Sequence, residues 1–127
     1  MELVPPMPTT LGPAEMFTGS VSFDTLARGD DMRVNLVRFA PGARTAWHRH
    51  ARGQTLHVTE GIGRIQSRGG EVIEIRAGDT IVTPADEWHW HGASADHAMS
   101  HLAMWEGFDD GSDSTWGDHV TDAVYDA

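Results

Sequence analysis

The sequence predicts an all-β domain, closed as a sandwich or a barrel. Three observations point there. Short alternating or apolar runs recur at close intervals from Met32 to Glu106. Stretches of turn chemistry separate them, namely "APGA", "EGIG", "SRGGE" and "RAGD". No central stretch carries the period of an amphipathic helix. Many short strands with regular turns are the pattern of a sandwich or barrel.

Residues 1–15 are expected to form an N-terminal arm. Its stretch "MELVPPMPTTLGP" holds four prolines, which fix φ and remove backbone donors. Residues 16–108 carry the barrel. "MFTGSVSFDTLA" from Met16 predicts a first short strand, and "MRVNLVRFA" from Met32 alternates as a strand should. "GQTLHVTEG" and "IGRIQS" read as two further strands, followed by "EVIEIRAG", "DTIVTP", "EWHWHGA" and "MSHLAMWE". "RGGE" at Arg68 to Glu71 predicts a tight hairpin. Residues 109–127 read as an acidic tail that opens in a Gly-rich loop. Its end, "TDAVYDA", predicts one short helix behind a threonine cap.

A chain of 127 residues fits one domain, with about two-thirds of its surface buried on folding. The absence of cysteine excludes disulfides and thiolate metal sites. Any metal must therefore be held by imidazole, carboxylate or amide groups. The net charge is −10, and all nine basic residues are arginine. That balance repels nucleic acid and anionic membranes. The start lacks the basic region and apolar run of a signal peptide, and no run reaches membrane-spanning length. A cytoplasmic domain acting on a small molecule is the expectation.

The eight histidines are unevenly spread. On a strand, residues i and i+2 share a face. Extended backbone therefore sends His48 and His50 of "AWHRH" the same way, and His89 and His91 of "WHWHG" likewise, with Trp88 and Trp90 opposite. Packing explains one such pair; two pairs about forty residues apart point to a metal site. His101 shares parity with Met99, Ala103 and Trp105 and is expected inside. His57 has the parity opposite to Gln54, Leu56 and Val58, His97 falls in a polar loop, and His119 lies in the acidic tail. These three are expected to have structural or solvent roles.

The two clusters resemble the paired motifs of the cupin family. In the first, Gly42 is followed after five residues by His48-x-His50, after three by Gln54 and after six by Gly61. Glutamine stands where the family usually has glutamate. The second runs through Gly78, Pro84, Asp86, His89 and Ala93, with Asp86 and Ala93 in place of the usual Gly and Asn. "GARTAWHRH", "GQTLHVT", "HWHGA", "AMSHLA" and "HVTD" further resemble the small manganese cupins with (R)-selective hydroxynitrile lyase activity. The resemblance implies a single-domain cupin, a jelly-roll or double-stranded β-helix. It also implies one divalent ion on His48, His50, Gln54 and His89, with His91 and His101 beside it. Manganese is the ion implied; iron, zinc, nickel and cobalt suit such ligands too. Pairing into a homodimer or homotetramer is implied as well, with the arm covering a partner's sheet edge.

Three neutral imidazoles and one neutral amide leave a divalent ion its full charge, which favours polarisation over oxygen chemistry. The resemblance implies cleavage or formation of the C–CN bond of small aromatic cyanohydrins as the activity. His91 is the expected proton acceptor and His101 its partner. Asn35, Val37, Leu56, Ile81 and Met99 are the expected pocket residues, with Met104 as a further apolar candidate. A cupin dioxygenase or isomerase and a non-catalytic small-molecule or metal-binding module are the competing readings.

Overall fold

A computed structural model describes residues 1–127. Its strands are β1 (Thr10–Leu11), β2 (Phe17–Thr18), β3 (Val21–Arg28), β4 (Met32–Phe39), β5 (Arg44–Thr45) and β6 (His48–His50). They continue as β7 (Gln54–Ser67), β8 (Ile73–Arg76), β9 (Thr80–Thr83), β10 (His89–Ala93), β11 (Met99–Glu106) and β12 (Ser114–Trp116). One short helix, α1 (Asp122–Tyr125), ends the chain. No helix is long and apolar enough to cross a membrane.

Two sheets curl face to face, as the all-β reading requires. The first runs β1–β3–β4–β11–β7–β9, all antiparallel. The second holds β2, β5, β10, β7 and β8, with β6 pairing β10 and β12 pairing β6. β7 belongs to both. Its first half pairs with β11 and β9, and its second half with β10 and β8. Gly61 makes this possible. At φ 81° it bends the strand without ending it. The two strands and "EGIG" turn expected over 54–67 are therefore one bent strand. Sequence composition does not distinguish a turn glycine from a bend glycine.

Inward residues alternate along each strand and meet between the sheets. Val21, Val37, Phe39, Leu56, Val58, Met99 and Ala103 form the centre of this core. A hairpin forms around "RGGE" but is not tight: β7–β8 pairing ends at Ile65 and Ile73, and the turn bond, Gly70 N to Ser67 O at 2.9 Å, starts one residue before Arg68. Helix α1 forms behind the Thr121 side chain, which accepts from Val124 N at 3.3 Å.

Other elements escaped the sequence reading. The stretch from Met16 splits at Gly19 into β2 and β3. Within the proline-rich arm, Thr10–Leu11 pairs with β3 of its own chain. β12 sits inside the acidic tail and pairs with β6 through Ser114 to His50 and Trp116 to His48. Two- and three-residue strands are too short to show a period, and long-range pairing alone makes them extended.

The C-terminal segment is clamped to the outer face of the second sheet. The buried Arg44 guanidinium donates to Val120 O at 3.2 and 2.6 Å and pairs with Asp122 at 2.8 Å. Arg44 and Arg64 both lie over the Tyr125 ring, at 4.6 and 4.7 Å. Tyr125 OH donates to Ala93 O at 2.6 Å. Beneath this cover Trp90, on the outer face of β10, is wholly buried against Val120 and Tyr125.

The bend in β7 carries a stability prediction. A Cβ at Gly61 would strike the Ala98 carbonyl oxygen and Met99 Cα, whereas one at Gly69 meets nothing within 4 Å, although both have positive φ. Gly69→Ala should cost about 1–2 kcal/mol for the left-handed backbone. Gly61→Ala should lose about 1–3 kcal/mol more from the forced contact. Urea midpoints of the two variants measure the difference, and equal midpoints would show that the bend is not close-packed.

Candidate metal centre

Strand register brings the two histidine clusters together. β6 and β10 run antiparallel with His48 opposite His89. Parity then turns His48, His50, His89 and His91 into the barrel, where all four are buried. One ring nitrogen from each of His48, His50 and His89 lies within 4.8 Å of those of the other two. The His48–Trp116 stack, with centroids 4.5 Å apart and planes 19° apart, backs the first ring.

The hydrogen bonds define which nitrogens are free. His48 Nδ1 lies 2.9 Å from Ala46 O, and His89 Nδ1 lies 2.8 Å from Glu87 O. A carbonyl only accepts, so both rings carry their proton on Nδ1 and present a bare Nε2. His50 Nδ1 lies 3.0 Å from Ser114 Oγ, and its Nε2 is buried without any partner. Gln54, also buried, sets Oε1 3.2 Å from His89 Nε2, so two acceptors face each other. The bare Nε2 atoms of His48 and His89, the Gln54 oxygen and the unpartnered His50 Nε2 converge in a way that fits a cation. The buried triad of His48, His50 and His89 can hold a metal ion, and its neutral nitrogen donors suit a divalent transition metal.

Burial keeps these imidazoles uncharged. Desolvation is the largest cause at every ring, reinforced at His48, His50 and His91 by repulsion from neighbouring imidazoles. It pushes His48 and His91 well below the ordinary range, His89 down, and His50 and His101 down to about 4. At neutral pH the cavity presents lone pairs and N–H groups.

His91 and His101 come from opposite sheets and meet, His101 Nε2 lying 2.9 Å from His91 Nδ1. Phe39 packs against both rings. His91 Nε2 and His101 Nδ1 are buried without partners.

His48, His50 and His91, with Gln54, line a cavity of about 340 Å³. Of the expected pocket residues, Asn35 and Val37 line it. Leu56 and Ile81 instead line a smaller cavity of about 200 Å³, which His89 and His91 also border. Met99 lines neither and is packed in the core. Met104 lies on the outer face of the first sheet, opposite Val34. Parity says that a residue points inward but not which part of the interior it meets. The remaining apolar walls come from Pro13, Met16, Phe17, Phe23, Ala103, Trp105 and Trp116. Pro13 lies in the proline-rich arm and Trp116 in the acidic tail, neither of which carries an alternating signal. His57, bonded to Thr80 on the outer side of β7, His97 and His119 stand outside the cavity.

The depressed imidazoles imply a pH dependence in the metal-free protein. Unfolded imidazoles titrate near 6.5, but His50 and His101 in the fold do so near 4. Between these values the unfolded chain binds more protons, so stability is full above about pH 6.5 and falls as pH drops toward 4. Urea midpoints of metal-free protein should be lower at about pH 5 than at about pH 7. Equal midpoints would mean that the rings are solvated.

Comparison with known proteins agrees with this architecture. The cupin-domain family matches residues 35–105. An (R)-mandelonitrile lyase from Granulicella tundricola is 49% identical over 117 residues, spanning 90% of this chain and 88% of its own. A cupin-like protein from Thermotoga maritima superposes with a TM-score of 0.86 at 34% identity, covering 91% of this chain and 90% of that one. The polyketide cyclase RemF from Streptomyces resistomycificus shares the fold alone, with a TM-score of 0.73 at 16% identity over 99% and 91% of the two chains. With a family match over more than half its length and a relative of this identity across nearly all of it, the chain belongs to the cupin family.

Proposed function

We propose that the chain is a metal-dependent lyase that breaks or forms the C–CN bond of small aromatic cyanohydrins. His48, His50, Gln54 and His89 are the proposed ligands of one ion, manganese by family resemblance. One observation carries the reading: a largely apolar cavity opens on His48, His50 and Gln54 of the candidate ligand set, with His91 on its wall. The identity shared with a relative named (R)-mandelonitrile lyase supports the same reaction class. A divalent ion held there supplies Lewis acidity, undiminished because Gln54 brings no charge where a glutamate would.

The chain's own groups supply the rest. Phe17, Phe23, Val37 and Trp105 offer flat and branched apolar surface to an aryl ring, and Asn35 is a neutral polar group among them. In the tautomer this reaction requires, His91 donates Nδ1–H to His101 Nε2 and its unpartnered Nε2 carries the lone pair. That nitrogen takes the cyanohydrin hydroxyl proton. The C–CN electron pair leaves with cyanide as the oxygen's pair forms the carbonyl. The proton on His91 then passes to cyanide, giving hydrogen cyanide and restoring the neutral ring. His101 holds the His91 ring and its tautomer through this exchange.

Two variants test the reading. His89→Ala should lose most bound manganese by elemental analysis, and unchanged occupancy would remove His89 from the ligand set. His91→Ala should keep its metal and fold but lose roughly 10²–10⁴ in kcat for mandelonitrile cleavage. Metal-loaded wild-type protein that releases no benzaldehyde from mandelonitrile would reject the lyase reading itself.

A further inference from the structure

The three candidate ligand imidazoles are not oriented in the same way. His48 and His89 each donate Nδ1–H to the backbone carbonyl two residues earlier, at Ala46 and Glu87. A carbonyl has no proton to give, so the tautomer of those rings is unambiguous. His50 faces a hydroxyl, Ser114 Oγ at 3.0 Å. A hydroxyl can donate or accept. If Ser114 donated to His50 Nδ1, the ring proton would sit on Nε2, and the ring could not serve as a ligand there.

Asp113 removes the ambiguity. Ser114 Oγ donates to Asp113 Oδ2 at 3.0 Å, which commits the only hydroxyl proton away from the ring. Asp113 is itself buried, and no arginine pairs with it. Two further donors fix its carboxylate, Trp105 Nε1 at 3.0 Å and Phe108 N at 2.8 Å. With its proton so placed, Ser114 turns a lone pair to His50. The ring must then carry its proton on Nδ1 and leave Nε2 bare, which matches the buried, unpartnered state of that atom.

We infer that Ser114 and Asp113 are positioning residues that hold the proton of His50 on Nδ1 and so present its Nε2 as a metal ligand. The inference rests on the metal site proposed above. Register supports it, because β12 pairs with β6 with Ser114 directly opposite His50. Outer partners of ligating histidines commonly act in this way.

The test reads the tautomer and the affinity separately. Long-range nitrogen–proton correlation spectra of metal-free, nitrogen-15-histidine protein at neutral pH should show His50 in the Nδ1–H form. Ser114→Ala, which leaves the Trp105 and Phe108 contacts of Asp113 in place, should shift His50 toward the Nε2–H form. It should also weaken manganese binding about 10- to 100-fold by titration. Ser114→Thr, which retains the hydroxyl, should restore both. Asp113→Asn should weaken manganese binding with Ser114 intact. A wild-type His50 in the Nε2–H form, or wild-type manganese affinity in Ser114→Ala or in a folded Asp113→Asn, would overturn the relay. Wild-type protein that takes up no manganese would instead overturn the metal reading, and the metal-free tautomer result would still judge the relay.

Discussion

The structure depends on keeping five neutral imidazoles between two sheets. His48, His50, His89, His91 and His101 are each at most 5% exposed. A buried imidazole needs a partner for its N–H and an environment that never asks it to ionise. Backbone carbonyls serve His48 and His89, a hydroxyl serves His50, and His91 and His101 share a single hydrogen bond. Three ring nitrogens still lack partners. Leaving such a group unmade costs about 1–3 kcal/mol each. All three belong to the one buried histidine cluster between the sheets.

The outer layers of the barrel follow from that requirement. A strand that turns two histidines inward must turn the residue between them outward; in β10 this is Trp90, and Trp88 just precedes the strand. Trp88 lies between the guanidinium groups of Arg49 and Arg68, at 5.0 and 4.9 Å. Trp90 is covered by the C-terminal segment, which Arg44, Arg64 and Tyr125 hold in place. The same segment brings β12 against β6, so Trp116 stacks on His48 and Ser114 reaches His50. The acidic end of the chain thus supports the site from behind.

Electrostatics and shape divide the work within the cavity. No arginine and no carboxylate line the cavity, and the buried carboxylate behind Ser114, that of Asp113, spends its charge on three donors. The cavity is therefore close to neutral and largely apolar. Such a space disfavours a charged molecule. Any positive charge held by the three imidazoles would act at short range in a poorly screened medium, where its effect is larger than in water.

Much of this was legible locally. Alternation over Met32 to Phe39 and Met99 to Glu106 marked strands, and the same parity turned His48, His50, His89, His91 and His101 inward and His57 outward. The Thr121 cap announced the final helix. These features depend on neighbours within a few residues, so the sequence by itself determined them. The tertiary structure decided the rest. Only sheet pairing sets His48 opposite His89, makes residues 54–67 one bent strand and sends Leu56, Ile81 and Met99 away from the larger cavity. Only a contact spanning 64 residues makes Ser114 a partner of His50. Such contacts have no period or local composition to betray them, because their energy comes from groups that the chain brings together only when both sheets have closed.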